Sequence, residues 1–281
     1  MPDLLSQLQK TLINYSPSSL HCISVFKCYK LQQLQGIPFD QPTLLMVVQG
    51  RKEVKTTKME VNAGELFLVP AGTNLRMTQN PDKTAKQYFA IGIRFDYEAL
   101  KHFRMIYGSS LVQWDISANW QGKASNNILV ALLQWVNWES KDSENLQLIQ
   151  LRQVELLLLL AQEGLLGNIL LSEHPSWKQR VSQLLYFYPA RSWMIADVCS
   201  QLAISESSLR RKLQLEECTF RDLLEEVRLV SGLTLLSETQ QPIGQIAIAV
   251  GYQSQSRFGE RFKLRFGITP SDFRHTLVSD V

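Results

Sequence analysis

Cysteine is sparse and unpatterned here. Cys22, Cys28, Cys199 and Cys218 form no C-x-x-C pair and have no histidine at zinc-ligand spacing. A disulfide framework and a zinc finger are thereby excluded, and free thiols in a reduced compartment, the cytoplasm, are expected. The four histidines (His21, His102, His174, His275) are scattered with no H-x-H pair, so neither a metal centre nor a cofactor is expected. G-x-S-x-G, a Walker loop and G-x-G-x-x-G are all missing, which argues against an enzyme. Long hydrophobic runs are missing too. The greasiest, Val154 to Ala161, is about eight residues interrupted by Glu155, far short of the ~20 needed to span a bilayer. The opening MPDLLSQLQK has no basic stretch followed by an apolar one, so no export signal is expected. Nor does one sign of charge dominate: 29 Lys+Arg against 26 Asp+Glu leave a net +3.

What is present is ordinary globular composition over 281 residues, 45% hydrophobic and 20% charged, enough for two domains. Leu4, Leu5, Leu8 and Leu12 have helical spacing. From Cys22 the period becomes two. Strands are expected at Ile23 to Cys28, Thr43 to Gln49, Val54 to Val61, Glu65 to Val69, Leu75 to Thr78 and Gln87 to Phe95, divided by Pro42, Gly64, Pro70-Ala71-Gly72 and Asn80-Pro81-Asp82. This series predicts a sandwich or small barrel. Helices follow at Tyr97 to Ile106, Asn126 to Trp138 and Leu146 to Leu160, the last apolar nearly all round. Gly164, Gly167 and Ser172 to Pro175 break the pattern and place a short linker.

The most informative stretch is Gln241 to Arg274. Ile243, Ile246, Ala247 and Val250 make one helix face, and Gly251 ends it. Ser254 or Ser256 can cap the next helix, whose Phe258, Phe262 and Phe266 recur every four residues. Burying them leaves Gln255, Ser256, Arg257, Glu260, Arg261 and Lys263 outward, a hydrogen-bonding and mostly cationic set suited to base edges and phosphates. That is the pattern of a helix-turn-helix with its second helix as reader. Glu260 is the awkward member. Its carboxylate can accept from cytosine N4, pair with Arg257 or Lys263, or hold phosphate away; pairing is the expectation.

Ile246-Ala247, Gly251-Tyr252, Ser254, Phe258, Arg261, Phe266-Gly267, Thr269-Pro270 and Arg274 resemble the C-terminal signature of AraC/XylS-type transcription regulators. Upstream lies a weaker twin. Met194, Ile195, Val198 and Leu202 support it, Ala203-Ile204-Ser205 turn, and Leu209 with Leu213 anchor the reader. The family's serine, leucine and arginine fall on Ser205, Leu209 and Arg211, while Cys199 and Cys218 stand where alanine and glycine are usual. Ser207, Ser208, Arg210, Arg211 and Lys212 become groove candidates, joined in the second unit by Ser254. A helix from Thr219 to Leu236 connects the two units.

The resemblance extends to the first half. Asn62 to Thr73 resembles the cupin-like arm of such regulators, with Asn74 where histidine is frequent. The implied architecture is α+β in two domains. Residues 1–171 would be a cupin-like β-barrel with a helical dimerisation region, and 176–281 an all-α domain of two helix-turn-helix units joined by a long helix. The implied function is a sequence-specific regulator, in expectation an activator, with operator DNA, RNA polymerase and a second copy as partners and a small effector in the barrel. Lys27, Lys30, Arg51 and Arg94 are the cations near strands that could meet an anionic effector; solvated rim charges are the plainer reading. Leu148, Leu151 and Leu158 could form the dimer face, or pack under the barrel. The alternatives are a regulator whose arm binds a protein, and a ligand-binding or catalytic cupin whose helices serve assembly.

Overall fold

A computed structural model describes residues 3–13, 15, 22–108, 121–139, 145–166, 169 and 175–279. The expected linker falls, apart from Gly164 and Pro175, outside them, as do His21 and His174. The chain divides into two compact units, 1–32 with 38–173 and 279–281, and 33–37 with 174–278.

Up to residue 173 the order is α1 (Leu4–Ile13), β1 (Ile23–Cys28), β2 (Gln32–Phe39, of which 33–37 count with the second unit), β3 (Thr43–Gln49), β4 (Arg51–Val54), β5 (Met59–Asn62), β6 (Glu65–Val69), β7 (Thr73–Asn80), β8 (Tyr88–Arg94), α2 (Tyr97–Tyr107), β9 (Gln121–Lys123), α3 (Asn126–Glu139) and α4 (Leu146–Gln162). The strands form two sheets, β1-β8-β3-β6-β9 and β2-β7-β4-β5. The closed barrel is thus corrected to two open sheets. The expected strand over Val54 to Val61 is a hairpin, broken by a turn in which Lys58 takes φ 55°. β2 and β9 were not foreseen; Gly36 and Pro38 disguise β2, and β9 has three residues.

The apolar run of β3 is buried on both faces, as a central strand requires. Leu44, Met46 and Val48 join a core with Leu8, Leu12, Phe103, Ile128, Leu132, Trp135 and Leu157 from the helices. Leu45 and Val47, on the alternate face, are buried as well. Gln153 of α4 locks to the start of α2. Its Nε2 donates to Asp96 Oδ2 at 2.9 Å, and its Oε1 accepts from the Asp96 N–H at 2.8 Å. No helix among the described residues is long and apolar enough to cross a membrane.

The second unit holds α5 (Trp177–Phe187), α6 (Ile195–Gln201), α7 (Glu206–Leu215), α8 (Phe220–Glu238), α9 (Ile243–Ala249), α10 (Gln255–Phe266) and α11 (Pro270–Thr276). Starts and stops follow side-chain chemistry. Thr219 and Asp222 make a capping box at α8, and Gly267, at φ 78°, ends α10 in the left-handed conformation. One core gathers Val181, Leu185, Val198, Leu209, Leu213, Leu223 and Val227. The other gathers Leu229, Leu236, Ile246, Ala247, Val250, Phe258, Phe262, Phe266 and Phe273. α8 supplies residues to both. Its Gly232 is required by close approach, since a Cβ there would lie 2.7 Å from the Phe258 ring.

Candidate nucleic-acid interface

Two supporting helices, α6 and α9, precede two outer helices, α7 and α10, in matching frameworks. Ser205 and Ser254 cap the outer helices: each Oγ accepts at 3.3 Å, from the N–H of Ser208 and of Arg257. Leu209 and Leu213 are buried in the first as Phe258 and Phe262 are in the second. The turns differ in chemistry. Ala203 takes φ 50° in the first, and Gly251 takes φ 88° in the second. A Cβ on Gly251 would also press the Arg228 guanidinium at 2.9 Å. Arg228 itself braces α8 by donating to the Pro189 and Arg191 carbonyls at 3.0 and 3.2 Å.

The cations expected on the outer faces sort into two groups. Arg261 donates through Nε and Nη2 to both oxygens of Glu225 on α8, so it is held along the inner flank of α10. Arg265 likewise donates to Glu226 at 2.8 Å. Lys212 lies 4.7 Å above the Trp177 ring, and Arg210 is paired with Glu206 on its own helix at 2.6 Å. Arg211, Arg257 and Lys263 are exposed and make no ion pair among the described residues. Glu260 is also exposed and unpaired, so the expected pairing with Arg257 or Lys263 is not made. At i−3 and i+3 those cations can reach it, but extended side chains in water gain little from closing such a pair. Ser207, Gln255 and Ser256 are exposed. Ser208 is half-buried and accepts from the Ser205 hydroxyl at 2.8 Å, so it and Ser254 serve the helix starts.

The other candidates lie in the first unit. Lys27, Arg51 and Arg94 are exposed and Lys30 is half-buried. Arg51 is tied to Glu53 and Glu60 at 3.1 and 3.4 Å, on the opposite face of β4 from the lysine that does turn inward. That lysine, Lys52, is 1% exposed. Its Nζ lies 3.7 Å from Met77 Sδ, 5.4 Å from the centre of the Tyr88 ring and 5.8 Å from that of Phe26, and burial lowers its pKa to about 8. Arg51 and Glu53 point outward on either side of it, so alternation along β4 is the signal that could have found it. On α4, Leu148 and Leu151 are exposed at 42% and 62%, whereas Leu158 packs against the helical core. An opening of about 240 Å³ beside them is lined by Trp138, Leu148, Leu151, Arg152 and Glu155.

A family model described as a helix-turn-helix domain matches residues 198–276, which takes in both outer helices and α8 between them. Residues 198–276 are a helix-turn-helix domain. The chain is 34% identical over 98 residues to the HTH-type transcriptional activator FapR of Escherichia coli, spanning 35% of this chain and 38% of FapR. It is 33% identical over 110 residues to the transcriptional regulator GadX of Escherichia coli strain K12, spanning 39% of each. The chain therefore covers about two fifths of these curated relatives. The fold is similar to that of wild-type ToxT from Vibrio cholerae, solved with unsaturated fatty acid bound: TM-score 0.61, 15% identity, 94% of this chain and 99% of that one.

Proposed function

We propose that the protein is a sequence-specific DNA-binding transcription regulator, an activator by the character of its relatives, that reads two successive major grooves with α7 and α10. The observation that carries this reading is the pair of outer helices whose polar side chains, Ser207 and Arg211 on one and Gln255, Ser256, Arg257, Glu260 and Lys263 on the other, are exposed while their apolar anchors are buried. Ser208, Arg210, Lys212, Ser254 and Arg261 then act by shaping and orienting those helices. α8, 19 residues long, spans roughly 28 Å at ~1.5 Å per residue, which with a reader at each end suits grooves one turn, ~34 Å, apart. Selection of bound duplexes from a random pool tests it. The expected site is bipartite, with half-sites ~10 bp apart centre to centre; a single contiguous half-site, or no enrichment, would overturn it.

On this reading residues 1–171 regulate, residues 176–281 bind operator DNA and meet RNA polymerase in the cytoplasm, and the protein is not an enzyme. The fatty acid bound by the ToxT neighbour supports a small amphipathic effector for the two-sheet unit. Native mass spectrometry checks this, since a co-purified small molecule is expected; a bound protein would favour the partner-controlled reading. A second copy is the proposed occupant of the exposed Leu148 and Leu151 face, while Leu158 on the same helix packs against the core. Leu151→Asp should then shift sedimentation toward the monomer.

A further inference from the structure

We propose that Glu260 selects a cytosine, giving the second reader helix the opposite base chemistry to the first at the corresponding place. This rests on the reading of α10 as a DNA-recognition helix.

Position comes first. Glu260 stands midway between the buried Phe258 and Phe262, as Arg211 stands midway between the buried Leu209 and Leu213. At ~100° per residue, a side chain two residues from each anchor points about as far from the core as the helix allows. Both helices are capped by a serine in the same register, so Arg211 and Glu260 are structural counterparts. The residue before Glu260 is Gly259, beside which a Cβ would meet nothing within 4 Å. Its counterpart in α7 is Arg210. A mid-helix glycine that packs against nothing costs helix stability, and here it leaves the surface next to Glu260 open to close approach by another backbone.

Chemistry then narrows the target. Glu260 is exposed and has no ion-pair or hydrogen-bond partner among the described residues, so none of them neutralises it. A free carboxylate facing a polyanion is repelled unless it meets a donor. In the major groove the donors are cytosine N4 and adenine N6. Adenine sets the N7 acceptor beside its donor, guanine offers two acceptors, and thymine an acceptor and a methyl group. Cytosine alone presents a donor without a competing lone pair on its own edge. The expected order is cytosine, then adenine, then thymine and guanine. Arg257 and Lys263, exposed about one turn either side, supply the cations that hold the flanking phosphates while Glu260 reads between them. Arg211, a donor fork in the same place on α7, prefers guanine.

The experiment is selection from a random duplex pool with the full chain and its Glu260→Gln, Glu260→Ala and Arg211→Ala variants. The parent should show one position in the α10 half-site enriched in cytosine. Glu260→Gln should move that position toward adenine, because an amide can accept from N6 and donate to N7 together. Glu260→Ala should flatten that position, losing on the order of tenfold discrimination, with the α7 half-site unchanged. Arg211→Ala should do the converse in the other half-site. A bipartite parental site that all Glu260 variants reproduce would overturn the cytosine assignment while leaving the DNA-binding reading intact. A parent that enriches nothing would overturn both. Glu260→Gln keeps size and helix propensity, so its readout is secure even where the alanine variant folds poorly.

Discussion

The Arg261 guanidinium closes a two-pronged hydrogen-bonded pair with the Glu225 carboxylate of α8, while Arg257, one turn earlier on the same helix, is exposed and makes no ion pair among the described residues. The two should separate cleanly in binding assays. Arg211→Ala and Arg257→Ala should each weaken specific duplex binding by ~1–3 kcal/mol. Arg261→Ala should leave the selected sequence unchanged and cost about 1 kcal/mol or less of stability, since the pair is partly solvated. Fluorescence anisotropy on specific and random duplexes, with urea titration alongside, reads all three.

The two turns call for opposite substitutions. Ala203 carries a left-handed backbone on a residue with a Cβ, at φ 50°. Ala203→Gly relieves that strain, less the added freedom of the unfolded chain, and should stabilise the domain by about 0.5–1 kcal/mol. Gly251→Ala should cost about 2 kcal/mol or more, because strain is joined by contact with the Arg228 guanidinium at 2.9 Å and Ala190 Cα at 3.0 Å. Chemical denaturation of the parent and each variant measures both.

Lys52 should make stability climb as pH rises between about 8 and 10.5. Burial lowers its pKa to about 8, whereas the unfolded chain keeps the proton to 10.5. Over that window the unfolded state binds more protons, so deprotonation favours the folded one. Cys28, pushed by burial up to about 12, opposes this above pH 9. The contrast with Lys52→Met removes that contribution. The variant should be more stable near pH 7, by on the order of 3 kcal/mol at most, with the gap closing toward pH 10.5.

Glu139 should act in the reverse sense. Burial raises its pKa to about 7, against 4.5 unfolded, despite a hydrogen bond from Tyr15. The folded state holds the extra proton between those values, so stability falls as pH climbs from 4.5 to 7. Glu139→Gln should flatten thermal melts across that range.

The helices of the second unit were legible because their determinants are local. Phe258, Phe262 and Phe266 repeat at helical spacing, Ser254 caps, and Gly267 stops. Which cations are free was not. Arg257 and Arg261 look alike along the chain, and the carboxylate that claims Arg261 lies 36 residues away on another helix. The barrel expectation rested on strand count, which cannot say whether sheet edges join. β2 was hidden by Gly36, at φ 64°, and by a proline within its own span. Lys52 precedes the strand expected from Val54, so the inward side of β4 was not read from the sequence.

Because α8 contributes Leu223 and Val227 to one core and Leu229 and Leu236 to the other, it works as a ruler graduated in whole residues. One residue added or removed between Val227 and Leu229 would rotate one outer helix against the other by ~100° and shift it ~1.5 Å. On the proposed reading, a one-residue change in α8 therefore cannot follow an operator whose halves drift apart by a base pair. On that same reading the protein sets the phase of the DNA, and an operator that loses it is restored only by a change in the DNA.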